Sequence, residues 1–426
     1  MGATYKNNIE LTIFGESHGK AIGITIGNLP SGIQIDLDEV ARDMKRRAPG
    51  QNKMSTARKE ADQVEILSGL QDGITTGAPL TGVIYNSDQH SKDYSLLKTN
   101  MRPGHSDYPA YIKYKGFNDV RGGGHFSGRI TAPIVFAGNI AKQILKQKGI
   151  VVGAHILSIG NVKDERFPYN VDETLLSSLS QKQYPTIKED VFEKMEATIL
   201  KARENLDSVG GKVECVALHV PAGIGEPFFD SLESHLSSLM FSIPAVKSVS
   251  FGDGEMIDQM LGSEANDCYY YDENGDVKTS SNHNGGITGG ITNGMPVSCT
   301  VTFKPTPSIA KKSKKQLMLK LKKNVELEIK GRHDPCIVQR AVVRLIEAMM
   351  ALGILDMMGD KYERFKTCRI EIDEIDQQLM ELFEKRMSLS KSVVEYKIAN
   401  HLEIFQPERE REVIEKNFKS FRKRKS

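Results

Sequence analysis

Histidines and arginines set in glycine-rich turns are the residues of this chain whose types and spacing could do chemistry. The run Arg121-Gly122-Gly123-Gly124-His125-Phe126-Ser127-Gly128-Arg129 leaves one backbone stretch bare of side chains, with a cation at each end. Such a loop can turn its N–H groups onto an anion. Two related pieces lie far away in sequence, Gly15-Glu16-Ser17-His18-Gly19 and Gly331-Arg332-His333-Asp334-Pro335. Together they suggest one anionic site assembled from distant loops.

Of the ten histidines, His18, His105, His125, His283 and His333 stand in turn sequence. A turn histidine by itself reads most simply as solvated; clustering with arginine and glycine favours acid–base work. Ser17-His18 follows a strand-like run, so a tight turn would present both at the strand's end. Arg102-Pro103-Gly104-His105-Ser106-Asp107 repeats the theme of arginine, rigid turn and histidine. Arg46 and Arg47 close a helical pattern, where cations suit the C-terminal dipole with or without a ligand. The loops Asn282 to Gly290 and Lys304-Pro305-Thr306-Pro307-Ser308 could cradle a phosphate or admit a flat ring. Neither is a G-x-G-x-x-G or Walker loop. Asp334 reads as the N-cap of a helix opening at Pro335, or as the holder of a polarised partner.

The elements that must position these residues are short and mixed. Strand-like runs cover Ile9 to Phe14, Ile22 to Ile26, Leu80 to Tyr85, Val213 to His219, Val246 to Phe251 and Val297 to Phe303. Helical patterns cover Asp36 to Arg47, Ala132 to Gln147, Lys188 to Leu206, Asp230 to Phe241 and Pro335 to Met358. Asp36 and Glu39 form a capping-box pattern. The absence of a steady βαβ rhythm favours α+β over a doubly wound sheet.

At 426 residues the chain has room for two or three domains. Lys plus Arg (57) nearly balances Asp plus Glu (55), so anion recognition must come from local clusters, not from a field that recruits nucleic acid or membrane. The basic end, Lys419 to Lys425, is short and has no aromatic-interleaved surface behind it. Five cysteines without a C-x-x-C pair argue against a zinc site or a disulfide framework and favour a reducing cytoplasm. No export signal or membrane span is expected.

Every glycine falls at or before Gly359, and from Asp360 to Gln406 there is neither glycine nor proline. The boundary predicted there separates 1–358 from 359–426. In the tail, Ile372, Ile375, Leu379, Leu382, Leu389, Val393 and Tyr396 follow the three-four spacing of a helix packed on other helices. Arg386 interrupts that seam, and Lys397 returns to nearly the same face.

The motifs GESHG, RRAPG, RPGHSDY, RGGGHFSGR, SNHNGGITGG, KPTPSI and GRHDPC, in this order from about Asn8 to about Leu355, resemble the chorismate synthase family. That resemblance implies a β-α-β sandwich, usually tetrameric, which converts 5-enolpyruvylshikimate 3-phosphate to chorismate by 1,4-elimination with reduced FMN and no net redox change. It implies proton transfer by His18 and His105, with Asp334 assisting the flavin and Ser17 and Ser127 near flavin and substrate. FMN contacts would come from His125, Phe126, Ser127, Gly289, Lys304, Pro305, Thr306, Pro307, Ser308 and Arg332. Substrate contacts would come from Arg47, Lys53 and Arg129. The substrate's phosphate and two carboxylates call for several arginines. NADPH is the candidate reductant. After Gly124 the loop reads HFSGR where many members have RSSAR.

The tail resembles the all-helical chorismate mutase family, with Arg369, Arg386, Lys397 and Glu410 at substrate-binding positions. The resemblance leaves that family's third helix unmatched, and Gln406 stands where aspartate is common. The implied second activity is chorismate to prephenate. Two alternatives stand beside this reading: a flavin- or phosphate-binding scaffold with a helical assembly arm, and a synthase with an inactive mutase remnant.

Overall fold

The computed structural model describes residues 2–50, 54–55, 60–87, 99–318, 323–327, 329, 334–339 and 341–423, with side chains at all of these except 313–317, 323, 325, 327, 341–342, 360–371 and 417–423. Two compact units form, Met1–Gly359 and Asp360–Ser426.

The first unit is built on two five-stranded antiparallel sheets. One runs in the order Thr4–Lys6, Glu10–Gly15, Ala21–Gly27, Leu80–Tyr85, Glu65–Ser68. The other runs Val246–Phe251, Val297–Phe303, Gly211–Leu218, Val151–Ile159, Val162–Lys163. Helix Ala132–Gln147 packs against strands of both sheets, so it lies in the core as a middle layer. Its apolar residues run round most of its surface, as a helix covered on several sides requires. It also meets the helix that follows Ala341: a Cβ on Gly138 would fall 2.0 Å from Ala348 Cβ, so only glycine permits that approach. The α+β expectation holds, and the strands and helices read from the sequence are present with ends shifted by a few residues.

Two local expectations need correction. The helix expected from Pro335 begins at Ala341. The Pro335 carbonyl instead accepts from Val209 N–H at 2.9 Å, and Cys336, Val338 and Gln339 are buried, so tertiary pairing outcompetes the Asp334-Pro335 start signal. The capping box at Asp36 is only half made. The Asp36 carboxylate accepts from Asp38 and Glu39 N–H at 2.8 and 3.0 Å, but Asp36 N–H donates to Gln143 Oε1 at 2.7 Å, not to Glu39. The helix is thereby pinned to the middle layer. Strand Val151–Ile159 and helix Glu173–Gln181 were not evident in the periodicity, because Gly153 and His155 interrupt the strand's apolar run.

The helical stretch Ala341–Ala399 is interrupted at Gly359 (φ 40°, ψ 178°). In the second unit it continues to Ala399, and Pro407–Lys423 forms another helix. The seam residues from Ile372 to Tyr396 are exposed.

Candidate active site

The turn after strand Glu10–Gly15 carries Ser17 and His18, both buried. Ser17 N–H donates to the Gly124 carbonyl at 3.2 Å, tying the turn to the glycine loop. Gly122, Gly123 and Gly124 all have positive φ (58°, 87° and 54°), which lets the loop fold tightly over the histidines. A Cβ on Gly122 would lie 2.2 Å from His18 Cε1 and Nδ1, and one on Gly123 would lie 3.5 Å from His105 Cε1 and Nε2. Adjacent glycines therefore face the two histidine rings.

His105 is held from behind. Its Nδ1 lies 2.6 Å from Asp107 Oδ1, and Arg102 forks onto the same carboxylate through Nε (2.7 Å) and Nη2 (2.8 Å). An ionised carboxylate only accepts, so the network assigns the proton to His105 Nδ1 and leaves Nε2 facing Gly123. Burial alone would raise the Asp107 carboxyl, but hydrogen bonds from Arg102 and His105 outweigh it and hold the group well below the usual carboxylate range.

The Lys304–Ser308 stretch closes on this cluster. Lys304 Nζ donates to the Gly104 carbonyl, a Cβ on Gly104 would lie 3.5 Å from Pro307 Cβ, and Ser308 Oγ accepts from Arg102 Nη1 at 3.2 Å. Burial, helped by nearby Lys247, lowers the Lys304 amino pKa. The Thr306 carbonyl accepts from Ser208 Oγ at 2.7 Å, while its own Oγ1 is buried without a hydrogen-bond partner among the described residues. Pro305 lies behind, its nitrogen close to the position a Cβ on Gly210 would take.

Arg47 and Arg129 meet on Asp62. Arg47 Nη1 donates to Asp62 Oδ2 at 2.7 Å and its Nη2 to the Gly128 carbonyl at 3.0 Å, and Arg129 Nη1 donates to Asp62 Oδ1. Glu60 stands 3.8 Å from Arg129 Nη2. Burial would raise the Asp62 carboxyl, but the two guanidinium groups prevail and lower it. Both arginines expected on substrate oxygens thus hold protein carboxylates in this structure. Asn86 links this pair to the histidine turn: its Nδ2 donates to the Glu16 and Gly19 carbonyls, and its Oδ1 accepts from Arg129 Nε at 3.1 Å.

Ser127 joins the cluster by accepting from Arg129 N–H at 3.3 Å. His125 is exposed and donates from Nδ1 to the Gly15 carbonyl at 3.0 Å, and Phe126 leans on Tyr114. Gly289 sits in a separate hairpin turn beside Gly290, whose carbonyl accepts from Leu232 N–H; among the described residues no hydrogen bond joins Gly289 to the histidine loops. Asp334 is half-buried in the extended stretch before Ala341. Lys53, Arg332 and His333, and the side chain of Arg369, lie outside the described residues. In the tail, Arg386 and Glu410 are exposed and Lys397 is half-buried; Lys397 Nζ donates to the Ile404 carbonyl at 2.9 Å, and no described hydrogen bond or ion pair joins the three.

Sequence reading singled out the turn that holds Arg102 and Asp107 without giving either residue a role, and it missed Asp62 and Asn86 as site residues. The R-P-G-H-S-D spacing could have indicated Asp107, two positions after His105. Nothing local marks Asp62 or Asn86, whose partners come from remote elements.

A chorismate synthase family model matches residues 9–358, and a chorismate mutase type II model matches residues 368–425. The chorismate synthase of Korarchaeum cryptofilum is 44% identical over 355 residues, covering 83% of this chain and 97% of the relative. That of Thermococcus gammatolerans is 46% identical over 348 residues, covering 82% and 95%. A crystal structure of a chorismate synthase superposes with a TM-score of 0.64 at 25% identity, covering 82% of this chain and 91% of that one. With two antiparallel sheets around a helical layer, paired histidines under a glycine loop and these matches across the first unit, the chain belongs to the chorismate synthase family.

Proposed function

We propose that this shikimate-pathway lyase converts 5-enolpyruvylshikimate 3-phosphate to chorismate and phosphate by anti-1,4-elimination, with reduced FMN as cofactor. The observation that carries the proposal is the Gly122-Gly123 packing, in which adjacent glycines face the rings of His18 and His105. With the Nδ1 proton engaged by Asp107, Nε2 is the nitrogen at which His105 would accept a proton or, once the ring is doubly protonated, donate one to a departing phosphate oxygen. Arg102 keeps Asp107 ionised and so keeps that tautomer in place. The glycine loop offers N–H groups to anionic oxygens without side chains in the way. For Arg47 and Arg129 to contact the substrate they must share or exchange their hold on Asp62.

The residues present fit a phosphate-bearing flat cofactor. The buried Thr306 hydroxyl lacks a partner among the described residues, and the Lys304 cation stands in the same stretch beside the His105 turn. When bound, reduced FMN supplies an electron-rich ring against which the elimination runs without net redox change. Thr306, Lys304 and Ser308 would hold it, with Asp334 and the neighbouring Arg332 completing its surroundings. On resemblance, the proposal extends to a cytoplasmic homotetramer whose flavin is reduced by NADPH or an external reductant.

We assign residues 1–358 to the synthase domain and 359–426 to a mutase-like helical domain, supported by the compact units and by the two family matches. The match over 368–425 favours a second activity, rearrangement of chorismate to prephenate through Arg369, Arg386, Lys397 and Glu410. Enzyme incubated anaerobically with reduced FMN and 5-enolpyruvylshikimate 3-phosphate should release phosphate and chorismate; release no faster than without protein would refute the synthase reading. Loss of chorismate that Arg386→Ala abolishes would support the mutase reading, and unaltered turnover, or none, would remove it.

A further inference from the structure

A second cleft, of about 560 Å³, opens beside helix Leu37–Arg47 and includes neither His18 nor His105 in its lining. Its floor is a closed set of buried ion pairs. Lys142 Nζ lies 2.7 Å from Asp43 Oδ2 and 3.4 Å from Glu347 Oε2, and Arg344 Nη1 reaches Glu347 at 2.6 Å. These four charges neutralise one another. The rim differs. Among the described residues, Arg42, Arg46 and Lys146 reach their nearest carboxylates, on Asp36, Asp43 and Glu39, at 3.6, 4.0 and 4.0 Å, beyond hydrogen-bond range. Arg46 Nη2 donates to the Lys182 carbonyl at 2.8 Å, which fixes its guanidinium at the cleft edge.

The lining carries two more cationic than acidic side chains, and the excess lies on the rim. Arg42 and Arg46, one helical turn apart, stand on the same side of their helix and can close on one oxyanion. Val152, Leu176 and Tyr184 add an apolar wall, with Tyr184 backed by Phe192 in a stack of 3.9 Å centroid separation.

We propose that this cleft is a second ligand site, taking a small organic dianion, a phosphomonoester or a dicarboxylate, whose oxyanion lies between Arg42 and Arg46 and whose body lies toward Tyr184. Floor charges already matched at short distance do not compete for the ligand, so the long-range rim cations determine its sign. Ser177 supplies a hydroxyl on the facing helix, whereas the Ser180 hydroxyl donates to the Ser177 carbonyl at 2.7 Å.

The test is calorimetric titration of the full chain with phenyl phosphate, inorganic phosphate and malonate, on the wild type and on Arg42→Gln/Arg46→Gln/Lys146→Gln. A cleft equivalent of phenyl phosphate or malonate should weaken about tenfold or more in the variant, as loss of charged hydrogen bonds requires. Preference among the probes tells phosphomonoester from dicarboxylate. If the catalytic site also binds phosphate, the wild type takes two equivalents and the variant keeps one; if the synthase reading fails, the wild type takes one and the variant none. Because Arg42 and Lys146 are largely exposed, Arg42→Glu/Lys146→Glu serves if the triple variant does not fold. No cleft equivalent in the wild type, or identical titrations in wild type and folded variant, would overturn the proposal.

Discussion

His105 and Asp107 meet at 2.6 Å between Nδ1 and Oδ1, with Arg102 forked onto the same carboxylate. The contact converts a turn histidine into an oriented one, with a defined protonated nitrogen and a defined exposed one. Asp107→Asn keeps the shape but no longer enforces that tautomer. Turnover should fall roughly a hundredfold or more while flavin affinity holds, and the pH–rate profile should move. Anaerobic phosphate release across pH, beside flavin titration, measures both; an unchanged profile would remove Asp107 from the mechanism.

Gly122→Ala should be severe for a steric reason. Its added methyl would stand 2.2 Å from the His18 ring at a φ of 58°. A stability loss of about 2 kcal/mol or more is expected, with loss of turnover. Gly128→Ala, where nothing lies within 4 Å, should unfold at nearly the wild-type urea midpoint.

Asp62 joins two buried guanidinium groups, and its lowered pKa gives its stabilising contribution a definite pH window. The contribution is complete above the ordinary carboxylate value of 3.8 and is lost as pH falls through the depressed folded value. Asp62→Asn should cost about 3–5 kcal/mol at neutral pH and flatten the acid limb of the stability curve. Urea unfolding at neutral and acidic pH tests the sign; a steeper acid limb in the variant would contradict it.

His155, fully buried, has Nε2 3.0 Å from Glu214 and Nδ1 3.4 Å from Asp164. Burial works to lower its pKa, but the two carboxylates outweigh it and the net shift is upward. The stabilisation is therefore complete below the ordinary value of 6.5 and is lost as pH rises through the raised folded value. Wild type should lose stability toward alkaline pH, and His155→Gln should lose less over the same range. Thermal melts in mildly acidic and alkaline buffers read the difference.

A chain ending at Gly359 should keep phosphate release, since the first unit contains its own sheets and buried middle layer. Loss of folding on removal of 360–426, seen by circular dichroism, would show that the units depend on each other.

The sequence by itself determined much of this protein. Alternation in Ile22 to Ile26 and Val297 to Phe303, and helical spacing in Ala132 to Gln147, are local signals that survive in the fold because burial rewards the same residues. The glycine loop and the turns bearing His18 and His105 were legible because bare backbone beside histidine and arginine is a local chemical signature. Tertiary structure decided which of them meet. Asp62, reached by Arg47 and Arg129 from separate elements, and Asn86, bridging the His18 turn to Arg129, carry no local mark of that role. The start of the helix at Ala341 was decided the same way, by a hydrogen bond from Val209 that a capping pattern cannot foresee. Short-range periodicity records the cost of exposing a side chain, whereas partner choice among buried charges depends on distances fixed only when the two sheets close on their helices.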